Sequence, residues 1–120
     1  MISQRQAAER KGRRAETLAS CWLRLKGYHI LARRLRTPVG EVDIVARQGA
    51  VLVLIEVKAR SHRDAAGYAV TQHQQRRIAR AASFILAAHP AWRGLDMRFD
   101  AILLGGWRLP CHLKGVFLAR

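Results

Sequence analysis

The segment Val51–Val57 is apolar at every position except Glu56, and Lys58 follows directly. This run constrains the fold more than any other feature of the chain. It falls far short of the ~20 residues a membrane-spanning helix needs. A strand with one wet face alternates polar and apolar residues, whereas a strand apolar on both faces is covered from both sides. The run therefore predicts a central strand over 50–59, sandwiched between helical layers. The two charges at its end need their own explanation.

The flanking sequence supplies the rest of an α/β sheet. Ala15, Leu18, Ala19, Trp22 and Leu25 recur at helical spacing, and Gly27 ends that helix as a left-handed cap. Residues 28–35 read as a first strand, and Thr37-Pro38-Val39-Gly40 as a turn. Residues 41–47 alternate, with Val42, Ile44 and Ala46 on one face and Glu41, Asp43 and Val45 on the other. Gln48-Gly49 turns this strand back into the apolar run. A second helix spans 70–89, with Ile78, Ala81, Ala82, Ile85 and Leu86 inward, and Pro90 stops it. Residues 98–104 form a fourth strand, and 107–118 supply one or two short terminal strands. The expected order is α-β-β-β-α-β, a mixed sheet flanked by helices. At 120 residues the chain reads as one domain, 1–120, with residues 1–12 as a basic arm.

The charge balance narrows the partner. Lys and Arg number 22 against 8 Asp and Glu, a formal net charge of +14. Residues 1–36 alone carry ten Lys/Arg and two Glu. Most of the cations are arginine, whose fork matches phosphate and whose plane stacks on bases. A polyanion, nucleic acid above all, is the expected partner rather than a membrane. Candidate phosphate contacts are Arg13, Arg14, Arg34, Arg36, Arg60, Arg76 and Arg77. Histidines at 29, 62, 73, 89 and 112 have no zinc-ligand spacing with Cys21 or Cys111. Cys21 reads as a small core residue. The first residues lack an apolar signal segment, so the expected location is cytoplasmic.

Chemistry concentrates where acids interrupt apolar strands. Glu56 and Lys58 are two apart and share a face. The Gln48-Gly49 hairpin sets Asp43 opposite residues 55–56. Two carboxylates this close repel, and Mg²⁺ or Mn²⁺ relieves the repulsion. Lys58 is placed to orient an attacking water or to offset charge on phosphate. Glu16, beside Ala15 on the first helix, is a third candidate carboxylate. The competing reading of Asp43, Glu56 and Lys58 is a salt bridge at a strand end.

Gly40-Glu41-Val42-Asp43, twelve residues, then Glu56-Val57-Lys58-Ala59-Arg60 resembles the D…(D/E)xK signature of restriction-endonuclease-like nucleases. The chain more closely resembles the small bacterial YraN-like family of predicted endonucleases, similar to archaeal Holliday-junction resolvases. Gly12, Ala15-Glu16, Gly27-Tyr28 and Arg98-Phe99-Asp100 extend the likeness along nearly the whole chain. The resemblance implies a restriction-endonuclease-like sheet. It implies Asp43, Glu56, the Val57 carbonyl and Glu16 as metal ligands, and Lys58 as the catalytic lysine. Glu41 matches a family position of unassigned role. The implied activity is metal-dependent cleavage of structured or branched DNA, in preference to RNA. Symmetric junctions favour a homodimer, although no dimer face is legible. The alternatives are a silent nucleic-acid-binding module of the same fold and a basic accessory protein of a ribonucleoprotein. The chain departs from the family at Arg34, where Asn is frequent, and at Gln74, where Lys is frequent.

Overall fold

The computed structural model describes residues 4–59, 70–105 and 109–117, with side chains from Arg13 onward and without that of Phe117. Helix α1 (Gln4–Leu25) leads into strands β1 (His29–Thr37), β2 (Gly40–Gln48) and β3 (Val51–Lys58). Helix α2 (Gln72–Ala88) and a 3₁₀ turn (Pro90–Trp92) follow, then β4 (Asp96–Leu103) and β5 (Cys111–Phe117). The sheet order is β1-β2-β3-β4-β5. Only β3 and β4 pair in parallel; the other neighbours are antiparallel. The expected α/β class and mixed sheet are therefore what the chain adopts, with 111–117 contributing a fifth strand.

The apolar run behaves as its composition demands. Leu52, Val53, Leu54 and Ile55 are each no more than 3% exposed. Val53 and Ile55 pack with Ala19, Leu23 and Ile102 on the α1 side. Leu52 and Leu54 pack with Ala81, Ala82, Ile85 and Phe99 on the α2 side. Each such aliphatic side chain contributes on the order of 1.5–3 kcal/mol on burial. α2 starts at a reciprocal capping box, in which Thr71 Oγ1 accepts from Gln74 N at 3.1 Å and Gln74 Oε1 accepts from Thr71 N at 3.0 Å. Gln74, where the resembled family often has Lys, is thus bound into the helix start.

α1 ends as Gly27 predicts. Gly27 sits at φ +89°, its N–H donates to Arg24 O, and Tyr28 N–H donates to Leu23 O, the pair of bonds of a Schellman cap. The helix already begins at Gln4, so it runs through most of the segment read as a basic arm. Its buried face differs from the expected one. Ala15, Glu16, Ala19, Ser20 and Leu23 face inward, while Leu18 and Leu25 are 60% and 84% exposed and Cys21 is exposed. Small side chains let the helix approach the sheet closely, and the acid on that face is neutralised by arginines described below. Largest apolar residues and innermost residues are therefore different sets here. No helix among the described residues is long and apolar enough to cross a membrane.

Candidate functional site

The β2–β3 ladder ends at the pair Ile44–Ile55. One residue further, Asp43 substitutes its side chain for the ladder: Oδ2 accepts the backbone N–H of Val57 at 2.8 Å. Asp43 is thereby tied to β3 between Glu56 and Lys58. Those two share a strand face as their spacing predicts, with Lys58 Nζ 2.9 Å from Glu56 Oε1. The strict alternation expected of β2 breaks at this point. Ile44 and Ala46 pack on the α1 side, but Val42 joins Val45 on the α2 side.

The distortion has a counterpart on β1. Arg34 lies between the paired positions Arg33–Ile44 and Leu35–Val42, opposite Asp43, and adopts φ +53°. A left-handed non-glycine residue is costly, about 1–2 kcal/mol. Consecutive strand residues normally point to opposite faces. Here Arg33 Nε and Arg34 Nε both reach Glu16, at 3.2 Å to Oε1 and 2.9 Å to Oε2. Glu16, only 4% exposed, is therefore held by both oxygens. Among the described residues no three of His, Cys, Asp and Glu gather closely enough to hold an ion. Glu16 thus approaches Asp43, whose carboxyl its charge pushes up, as an acid bound by two arginines.

Electrostatics mark Asp43 as strained. Burial pushes its carboxyl above the usual range, the Val57 N–H pulls it back, and the charges of Glu56 and Glu16 push it up again; Lys58 opposes them. The donor set suits a hard divalent cation. Mg²⁺ often takes only one or two protein carboxylates and fills its shell with water and substrate phosphate. Added positive charge between Asp43 and Glu56 offsets the same repulsion that raises Asp43.

A cavity opens between this end of the hairpin and α2, lined by apolar Val42, Leu54 and Phe99 and by charged Asp43, Glu56 and Arg77. Arg77 also borders a second hollow with His73, Arg76, Arg80 and Val39. The four basic residues recur at i, i+3, i+4 and i+7, one exposed stripe of α2. α2 contains no acidic residue, so nothing on the helix itself offsets Arg76, Arg77 and Arg80. Arg13 and Arg14 are exposed on α1 just before Glu16, and Arg36 is exposed with Glu41 3.8 Å away. Arg60 lies outside the described residues.

Sequence reasoning passed over one cluster. Arg98 forks onto Asp100 with two bonds of 2.9 Å, a pairing their shared face predicts. His112, which has no partner at any telling spacing, joins them through the β4–β5 pairing. Its Nε2 lies 2.7 Å from Asp100 Oδ2 and its Nδ1 2.7 Å from Lys26 Nζ. Trp22 is half-buried with Lys26 over its ring, and Trp92 stacks on His89 at 4.0 Å. Both pack within the chain; Trp107 is outside the described residues.

The uncharacterised protein family UPF0102 matches residues 15–104. A UPF0102 protein of Parvibaculum lavamentivorans is 53% identical over 107 residues, 89% of this chain and 80% of the relative. One from Rhodopseudomonas palustris strain BisA53 is 53% identical over 95% of this chain and 88% of its own length. A third, from Nitrobacter winogradskyi, is 53% identical over 94% of this chain and 96% of its own.

Proposed function

We propose that this chain, which belongs to the UPF0102 family, is a divalent-metal-dependent endonuclease that hydrolyses phosphodiester bonds in structured or branched DNA. The observation that carries the reading is the tie between Asp43 and the Val57 N–H, which brings a strained carboxylate beside the Glu56–Lys58 pair. Asp43, Glu56 and the Val57 carbonyl would hold Mg²⁺ or Mn²⁺, which would supply charge neutralisation at phosphate and a more acidic water. Lys58, 2.9 Å from Glu56, is placed to hydrogen-bond an attacking water or the phosphate oxygens. Glu16 acts through Arg33 and Arg34, fixing the left-handed turn of β1 that faces Asp43.

The basic surface handles the strand. Arg77 borders both the acidic cavity and the basic hollow, so phosphates on the α2 stripe lead directly to the carboxylates. Arg13, Arg14, Arg34 and Arg36, exposed on α1 and β1, are the further phosphate contacts we assign, Arg60 is assigned with them from the sequence alone, and the protein works in the cytoplasm.

The test is cleavage of duplex, flap and four-way-junction DNA, with RNA controls, in Mg²⁺, Mn²⁺ or EDTA. Metal-dependent cleavage abolished by Glu56→Ala and Asp43→Asn is the expected result. Equal cleavage by wild type and Glu56→Ala overturns the mechanism. Salt-sensitive binding without cleavage or Mn²⁺ uptake leaves the same fold acting as a silent nucleic-acid-binding module.

A further inference from the structure

The Asp100 cluster has the layout of an activated amine. Asp100 is 2% exposed and accepts from Arg98, from the Gly115 N–H and from His112. With Nε2–H donated to Asp100, the His112 Nδ1 carries the lone pair that faces Lys26 Nζ at 2.7 Å. The His112 side chain is only 4% exposed, whereas Lys26 is exposed. A buried acid thus orients an imidazole, the imidazole faces an amine, and the amine meets solvent. This is the nucleophile, base and orienting-group arrangement of covalent catalysis.

The rings of Trp22 and Tyr28, each 5.9 Å from Lys26 Nζ, favour the ammonium form, and burial and nearby cations disfavour it. Desolvation and the positive charge of Lys114 pull Lys26 below its ordinary range; Asp100 opposes them and Arg98 adds to them. The other polar group facing the cluster is the Tyr28 hydroxyl, which accepts from Arg98 at 2.8 Å. A neighbouring cation is a recognised way to make a lysine nucleophilic near neutral pH. The sequence has only four lysines among its 22 basic residues, Lys11, Lys26, Lys58 and Lys114. Phosphate contact is thus left mainly to arginine, and a lysine bonded to histidine is not part of a general basic coat.

We propose that Lys26 is a Schiff-base-forming amine, that His112 and Asp100 position it and accept its proton, and that its substrate is the aldehyde of a base-free deoxyribose in DNA. The reaction balances without an oxidant or reductant. His112 Nδ1 takes the proton of the ammonium, and the resulting imidazolium faces Asp100. The neutral amine adds to the C1′ aldehyde carbon, and the carbinolamine loses water to give the imine. His112 gives its proton to the departing hydroxyl and, neutral again, takes a C2′ proton, so that β-elimination expels the 3′ phosphate; water then hydrolyses the imine, releasing the sugar aldehyde and restoring the amine, and His112 returns its proton to solvent. The proposal shares with the endonuclease reading only the assumption that this basic chain holds DNA. Lys26 follows the last residue of α1, ten residues from Glu16 and roughly 15 Å away at helical rise, and the step uses neither Asp43 nor Glu56.

The experiment is borohydride trapping of the full chain on a duplex with one base-free site, in EDTA so that metal-dependent cleavage is silent. A gel shift in the same buffer reports the shared assumption separately. The expected result is a one-to-one covalent adduct that peptide mapping places on Lys26. Lys26→Arg keeps the charge and is expected to lower trapping by at least ~100-fold. His112→Gln is expected to lower the rate about 100-fold and move its pH profile to higher pH. That profile change is something a merely structural histidine does not produce. Far-UV circular dichroism checks that both variants fold, and Lys26→Gln replaces Lys26→Arg if it does not. Asp43→Asn, silent as a nuclease, is expected to trap as well as wild type. No adduct despite a gel shift, an adduct mapped to another lysine or the amino terminus, or undiminished trapping by Lys26→Arg overturns the proposal.

Discussion

Two aspartates sit inside the sheet of this protein under opposite conditions. Asp43 has one described hydrogen-bond donor, the Val57 N–H, and like charges on either side of it in Glu56 and Glu16. Asp100 is raised by burial, but its bonds to His112, Arg98 and the Gly115 N–H more than reverse this and hold it below the usual carboxylate range. The charge of one carboxylate is disfavoured by its surroundings, and the other is met by three donors. An acid of the first kind gains from a cation brought from outside the chain, whereas an acid so fully bonded can serve the fold itself.

The sharpest way to break this contrast is to neutralise each acid in turn. Asp43→Asn is expected to lose cleavage by at least ~100-fold while stability holds or rises by up to about 1 kcal/mol, because the removed charge was unfavourable. Cleavage assays beside urea denaturation check both halves. Asp100→Ala is expected to do the reverse to the fold, costing about 3–5 kcal/mol by leaving Arg98 and His112 facing an unmatched interior. A loss of stability in Asp43→Asn as large as in Asp100→Ala would erase the distinction.

Acidity separates the two by sign. The raised Asp43 lowers stability above its folded-state titration, and that penalty fades as pH falls toward the ordinary value of 3.8. The lowered Asp100 adds stability above 3.8, which is lost as pH falls through its depressed titration. Subtracting the stability of Asp43→Asn from wild type across pH 3–8 is therefore expected to give a curve that falls with rising pH. Mg²⁺ affinity, by isothermal titration, is expected to weaken on acidification through the same raised range, since proton and ion compete for one carboxylate.

Smaller effects sharpen the account of Glu16. Glu16→Gln leaves two partly exposed arginines without their anion and is expected to cost roughly 1–2 kcal/mol. It also removes one of the charges that raise Asp43, so the Asp43 titration seen by NMR is expected to move down. Arg34→Asn is expected to change stability by less than about 1 kcal/mol, because Asn tolerates the left-handed backbone that Arg adopts here but gives up the bond to Glu16.

The architecture was legible where hydrophobic pattern alone decided it. The run from Leu52 to Ile55 announced a strand covered on both faces, and the two-residue spacing of Glu56 and Lys58 announced a shared face. The face of α1 was legible only in part: Ala15 and Ala19 were expected inward and are buried, but Ser20 earns its burial by being small and Glu16 by its arginines. Counting large apolar residues therefore favoured Leu18 and Leu25, which are exposed. Asp43 was legible as an acid near residues 55–56, but its grip on the Val57 N–H was not. That bond replaces a ladder contact and depends on the break in β2. His112 gave no signal, since Asp100 is brought to it only by the pairing of β4 with β5, and Lys26 only by the packing of the end of α1 against the sheet.

Because Asp43 borrows the Val57 amide, one backbone proton in the best-protected strand answers to a side chain instead of to a neighbouring strand. Its chemical shift and its exchange with deuterated solvent become a gauge of that carboxyl's state. Protonation, charge removal and cation capture should each move one NMR resonance while the signals of Leu52 to Ile55 stay still. The molecule thereby carries its own spectroscopic reporter, needing no attached label.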